Sequence, residues 1–277
     1  MILSAKPYVE QKIKELKERV SMMDETPTLA IIQVEGDPAS DRYVTNKMKK
    51  CAEVGIAVEH YYFGKNVDSF LIEEKISDLN ADDDITGILL QLPLPPQLDE
   101  HYLTNLIKPN KDVDGFTELN MGRLALGVYG NEPCTPKGVM ELLRFYNIPV
   151  QGKDVLIINR SNIVGKPLAM MMTKQNATVT LAHSKTARLR DKIARADIIV
   201  TGVGIPGFLD ERDVKNGAVI IDISINFNEE GKMCGDLDKE CYDLLAGRCD
   251  FTPVPGGVGQ TTVMALIDNL IEISERF

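Results

Sequence analysis

Short, nearly continuous apolar runs alternate with stretches of helical spacing along most of this 277-residue chain. Thr28 to Val34 (TLAIIQV), Ile56 to Phe63 and Ile85 to Leu92 read as strands in the first half. Asp154 to Asn159, Thr178 to Ala182, Asp197 to Thr201 and Ala218 to Asp222 repeat the theme in the second. Strands that are apolar on both faces and are separated by helices belong to parallel sheets covered on both sides. The order therefore predicts α/β layers throughout.

The punctuation supports that reading. Met1 to Val20 has the spacing of a charged amphipathic helix and lacks the apolar core of a signal peptide. A helix after the first strand has Asp37 as its N-cap, Pro38 at its first position and Gly55 as its stop. Asp68 to Asn80 is helical in spacing, and three prolines between Leu92 and Leu98 bar a continuing central strand. From Phe116 to Pro136 the pattern dissolves into Gly, Asn, Pro and Thr, which marks a crossing between two domains. Beyond it come a helix over Lys137–Tyr146 and helices from about Lys166 and Ala187. Two successive βα units of about 20–25 residues are the pattern of a doubly wound nucleotide-binding sheet. A Gly/Pro loop over Phe251–Gln260 and a closing amphipathic helix over Thr262–Phe277 finish the chain.

Charge and cysteine usage narrow the partners. The formal net charge is −10, so the surface repels nucleic-acid backbones and anionic lipid, and neither is expected as a partner. An anionic ligand must be held by a local cluster of donors. Cysteines stand at 51, 134, 234, 241 and 249 with no C-x-x-C, and the three histidines form no H-E-x-x-H. A cytosolic chain without a metal centre is expected.

A literal G-x-G-x-x-G occurs at Gly202, Gly204 and Gly207, with Asp222 at the offset of a ribose-binding acid. In a dinucleotide fold that motif opens a long helix after the first strand of the unit. Here it follows the third strand and precedes the broken stretch FLDERDVKNG. It reads better as a loop whose backbone approaches a cofactor edge-on. The first βα turn is Asn159-Arg160-Ser161-Asn162-Ile163-Val164-Gly165-Lys166-Pro167. Asn tolerates a left-handed turn, Gly165 permits close approach, and Arg160 and Ser161 are phosphate donors. That segment alone fits a solvated turn with a capping serine equally well. The second strand decides, because it ends Ala182-His183-Ser184-Lys185-Thr186, without the carboxylate that would favour NAD. Two hydroxyls and a cation there, with Arg160, suit a 2′-phosphate, so NADP is expected rather than NAD.

In the first half, Tyr43 and Lys47 share a helix face four residues apart, beside an apolar stripe of Val44, Met48 and Cys51. A lysine next to an aromatic ring at the edge of a buried face is a candidate for base chemistry, although most such pairs are surface decoration. Gln91 ends the third strand, where open α/β sheets place ligands, or is a strand-end amide satisfied by backbone. Lys111-Asp112-Val113-Asp114-Gly115 puts two carboxylates before a glycine, commonly an Asx turn.

Eight segments then point one way: SDRYVTNKMKKC (40–51), GILLQLPLP (87–95), PNKDVDGF (109–116), PCTPKGV (133–139), RSNIVGKPLA (160–169), TVTLAHSKT (178–186), GDLD (235–238) and PVPGGVG (253–259). Along nearly its whole length the chain resembles the bifunctional methylenetetrahydrofolate dehydrogenase/methenyltetrahydrofolate cyclohydrolase family. The resemblance implies two α/β domains: a catalytic lobe over 1–118 completed by the helix 262–277, and a Rossmann-type NADP-binding domain over 119–261. It places the folate in a cleft between them and implies a homodimer assembled through the cofactor domains. It implies oxidation of 5,10-methylenetetrahydrofolate with NADP and hydrolysis of the methenyl product to 10-formyltetrahydrofolate.

By the same resemblance Lys47 is the key group of the hydrolysis, supported by Gln91, while Tyr43 stacks on the folate rings and Asp114 anchors the pterin. Leu92 and the loop of Pro255, Gly256 and Gly257 fall at folate positions. Asn159, Arg160, Ser161, Ser184 and Ile225 fall at cofactor positions. Three places differ from the family's pattern. Asn159 and Ser224 stand where it has Gly, and Gln260-Thr261 where it has Pro-Met.

Overall fold

The computed structural model describes residues 1–36 and 38–276, so the expected N-cap Asp37 lies outside the described residues. The first elements are α1 (Ala5–Ser21), β1 (Thr28–Val34), α2 (Pro38–Val54), β2 (Ala57–Phe63), α3 (Ser69–Ala81), β3 (Gly87–Leu90), α4 (Glu100–Leu106), α5 (Glu118–Leu126) and α6 (Cys134–Phe145). The second series is β4 (Asp154–Ile158), α7 (Gly165–Lys174), β5 (Thr178–Ala182), α8 (Leu189–Ile193), β6 (Ile198–Thr201), β7 (Val219–Asp222), β8 (Asn226–Phe227), β9 (Met233–Cys234), α9 (Tyr242–Leu245), β10 (Asp250–Phe251) and α10 (Val258–Ser274).

By its internal contacts the chain divides into two compact units, Gln11–Cys134 with Val263–Phe277, and Met1–Glu10 with Thr135–Thr262. In the first, a parallel sheet of order β2-β1-β3 has the central strand buried at every position after Thr28. One face of that sheet packs Ala30, Ile32, Ile88 and Leu90 against Ile72, Ile76 and Leu79 of α3 and Leu103 of α4. In the second, all five strands are parallel in the order β10-β7-β6-β4-β5. Leu156, Ile158, Ile199 and Ile220 anchor its core together with Phe251. Both sheets are the α/β layers that the alternation predicts.

The division falls at 134/135, later than the expected boundary after residue 118, and the reason is polar. Asn120 Nδ2 donates to Pro109 O and Asn131 Nδ2 to Asp112 O, at 2.8 and 2.7 Å. Those bonds hold residues 119–134 on the first unit. Residues 1–10 go with the second unit because Leu3 N donates to Phe251 O at 2.7 Å and Phe251 N to Met1 O at 3.0 Å, extending the sheet beyond β10.

Other differences have local causes. The stretch 116–136 is not a plain crossing, since it contains α5, capped by the Thr117 hydroxyl and closed by Gly127 at φ +69°. The helix expected from Ala187 is the five-residue α8. The closing helix starts at Val258 and is buried on nearly all sides from Thr261 to Ile271, so it is a core helix and not an amphipathic one. No helix among the described residues is long and apolar enough to cross a membrane.

Candidate active site

Three elements of the first unit bring their expected residues together. Tyr43 and Lys47 lie one turn apart on α2, whose Val44 and Cys51 anchor it in the core at 1% and 0% exposure. Lys47 is itself buried, with Nζ 5.3 Å from the Tyr43 ring centroid. Nζ donates to Gln91 Oε1 at 2.9 Å, and Gln91 Nε2 donates to Leu92 O at 2.6 Å. Gln91 follows β3 directly, and its own backbone N–H bonds to Ile32 O of β1, so the parallel sheet fixes the acceptor that fixes the amine. Leu92 is half-buried against the adjacent core.

The segment 112–117 explains how a carboxylate is left over. Asp112 Oδ1 accepts Gly115 N at 2.9 Å, and Oδ2 accepts Thr117 N at 2.8 Å and Asn120 Nδ2 at 2.9 Å. This buried side chain builds the turn, with Gly115 at φ +69° packed where a Cβ would meet Asn131 O at 2.6 Å. Asp114 is not used by the turn. Burial pushes its carboxyl above the usual carboxylate range, against the opposing charge of Lys47 and a hydrogen bond with the Cys134 thiol. Sequence reading missed Cys134, whose Sγ also donates to Val113 O at 3.3 Å. Burial drives the Cys51 thiol up to about 12, so that neighbour of Lys47 stays protonated.

In the second unit the parallel register sets Ile158 beside Ala182, so the turns after β4 and β5 are adjacent. Asn159 has no left-handed backbone; its side chain shapes the turn instead. Oδ1 accepts Ser161 N at 2.9 Å, Ser161 Oγ at 2.8 Å and Gly165 N at 3.2 Å, while Nδ2 donates to Gly202 O at 2.8 Å. A Cβ at Gly165 would stand 2.2 Å from Asn159 O, so only glycine fits this helix start. Arg160, Ser184 and Lys185 are exposed at the two strand ends, and no acid follows β5. The donor set thus suits a dinucleotide with a 2′-phosphate.

Asp222 is no ribose ligand: it is buried, with Oδ1 accepting Ser224 N at 3.0 Å and Oδ2 accepting Leu237 N at 2.8 Å. Burial raises its carboxyl to about 7. Ser224 Oγ accepts Gly204 N at 3.3 Å, and Ile225 beside it is exposed. Pro255 is exposed and Gly257 buried in the loop before α10, where Ala5 N bonds Gly256 O at 2.8 Å. Thr261, in place of an apolar residue, turns its hydroxyl to Val258 O at 2.8 Å and packs on Gly138.

Comparison with known proteins agrees with both units. A family model described as "Tetrahydrofolate dehydrogenase/cyclohydrolase, catalytic domain" matches residues 3–114, and one described as its "NAD(P)-binding domain" matches 133–277. The chain is 44% identical over 264 residues to "Bifunctional protein FolD" of Ligilactobacillus salivarius, covering 94% of this chain and 92% of that one. The crystal structure of bifunctional FolD from Campylobacter jejuni superposes with a TM-score of 0.96 at 39% identity, covering 100% and 99% of the two chains. The Trypanosoma brucei enzyme, complexed with NADP cofactor and inhibitor, gives 0.93 at 32% identity, covering 100% and 97%.

Proposed function

The chain belongs to the tetrahydrofolate dehydrogenase/cyclohydrolase family, and from that premise we propose how its residues carry the two reactions. The protein oxidises 5,10-methylenetetrahydrofolate to 5,10-methenyltetrahydrofolate with NADP and hydrolyses the product to 10-formyltetrahydrofolate. Bound NADP supplies the hydride acceptor. The hydride leaves the methylene carbon without help from an acid or base, so alignment is what the protein provides.

Hydrolysis is different. Water adds to the cationic carbon and loses a proton to a positioned side chain, and the resulting carbinolamine opens by breaking its C–N5 bond as N5 takes up a proton, leaving the formyl group on N10. The observation that carries the assignment is the buried Lys47 amine held by Gln91 beside the Tyr43 ring. With its nitrogen fixed in this way, Lys47 is the group that takes up that proton. Tyr43 offers a stacking face to the folate rings. Asp114, spared by the turn that Asp112 builds, accepts the pterin's N–H donors. Leu92 adds a further folate contact. Arg160 and Ser184 hold the 2′-phosphate, Asn159 and Ser161 shape the turn beneath the dinucleotide, and Ile225 packs on the nicotinamide end.

We read 1–118 with the closing helix as the catalytic lobe and 119–261 as the cofactor domain in function, though the compact units divide slightly differently. The working form is a cytoplasmic homodimer joined through the cofactor domains. Supporting this, β5 is an edge strand with Leu181 exposed, and among the described residues the five cysteines form no disulfide. The test is spectrophotometric, following methenyl absorbance from methylenetetrahydrofolate with NADP and NAD in parallel. Rise and decay with NADP support the reading, and no methenyl with either cofactor contradicts it.

A further inference from the structure

The G-x-G-x-x-G segment carries no cofactor phosphate in the reading above, yet its backbone is shaped as an anion nest. The amides of Val203, Gly204 and Ile205 converge, with Gly204 at φ +80°. The chain's own carboxylate fills the point they face. Asp236 Oδ2 accepts Val203 N and the Thr201 hydroxyl, both at 2.7 Å. Oδ1 accepts Gly204 N and Ile205 N at 3.0 Å and Asn226 Nδ2 at 3.1 Å. Five uncharged donors therefore meet on a fully buried side chain. Consecutive amides of this kind form a general anion concavity, so the carboxylate takes donors that a phosphate would otherwise use.

We propose that Asp236 is a positioning residue for the cofactor, a built-in anion that locks the glycine loop after β6 to the segment after β7. Ile225 stands between Ser224, bonded to the loop at Gly204, and Asn226, bonded to Asp236. Asn159 ties the same loop to the turn after β4 through Gly202 O. The loops at the ends of β4, β6 and β7 thus form one preassembled wall. With its nest filled, this wall presents no phosphate site, and the pyrophosphate is left to the turn after β4. The inference rests on the assignment of this unit to NADP.

A carboxylate that merely satisfied core polarity would also be costly to remove. Matched chemical rescue separates the two roles. Asp236→Ala deletes a carboxylate, and formate has its size and charge. NADP affinity is measured by titration calorimetry, with the unmodified protein first; no binding there overturns the cofactor assignment itself. Given binding, Asp236→Ala is expected to weaken NADP by about tenfold or more. Formate restores most of that loss, and chloride at equal ionic strength does not. Unchanged affinity, or a loss that formate leaves untouched, overturns the proposal. Asp236→Asn keeps the shape but turns an N–H toward the converging donors, and it carries the test should the alanine variant fail to fold. It is expected to bind NADP weakly without formate rescue, and full affinity in it also overturns the proposal.

Discussion

Lys47 and Arg160 pose opposite electrostatic problems. Lys47 is buried, and its amine is hydrogen-bonded to the neutral Gln91 amide. Arg160 is an exposed cation at a strand end, free to meet a dianionic phosphate. Arg160→Ala is expected to weaken NADP by roughly tenfold or more while changing NAD binding little. Equal losses with both cofactors would place the 2′-phosphate elsewhere. Asp222 gives a pH signature. Its folded carboxyl titrates near 7 against a normal 3.8, so the fold keeps a proton that the unfolded chain has released. The stability from that group is complete below the normal value and is lost as pH rises through about 7. The melting temperature of Asp222→Asn, compared with the parent from acid to neutral pH, should lack this downward component; parallel profiles would contradict it. The Tyr43–Lys47 pair was legible in sequence, because four residues on a helix is a face. The Lys47–Gln91 bond spans 44 positions, and Asp236 reaches back more than thirty to its loop, so neither partnership has a local signal.

The strands of both sheets were the most legible elements. The bounds of β1 and β5 are those read from the sequence, because apolar runs between turn residues leave little choice of ends. The α5 helix was not seen, since its exposed Glu118 and Leu119 and its internal Gly122 blur the apolar stripe. The turn into α7 depends on one contact that spacing cannot show, the approach of Gly165 to Asn159 O. Gly165→Ala forces that helix start away from β4 and should destabilise the cofactor unit by about 1–3 kcal/mol. Denaturant unfolding and NADP titration on the same variant would check it, and unaltered values for both would show that the turn has slack.

Two sheets, each all-parallel and each with its own core, let a single chain hold folate chemistry on one unit and a dinucleotide turn on the other. The two-domain plan was readable from the break over 116–136, but where the compact units divide depends on asparagine side chains reaching distant carbonyls. For the proposed homodimer, paired through the β5 edge, sedimentation equilibrium should return about twice the chain mass. Charged replacements at the exposed Leu181 and Thr180 should lower it to the mass of one chain; an unmodified protein already at that mass would remove the dimer. The most direct measurement is the decay of methenyltetrahydrofolate supplied to Lys47→Ala, followed by its absorbance beside the parent protein. Enzymatic decay is expected to fall by about 10²–10⁴-fold, the usual contribution of a positioned proton acceptor. Decay at the parent rate in a folded variant would contradict it.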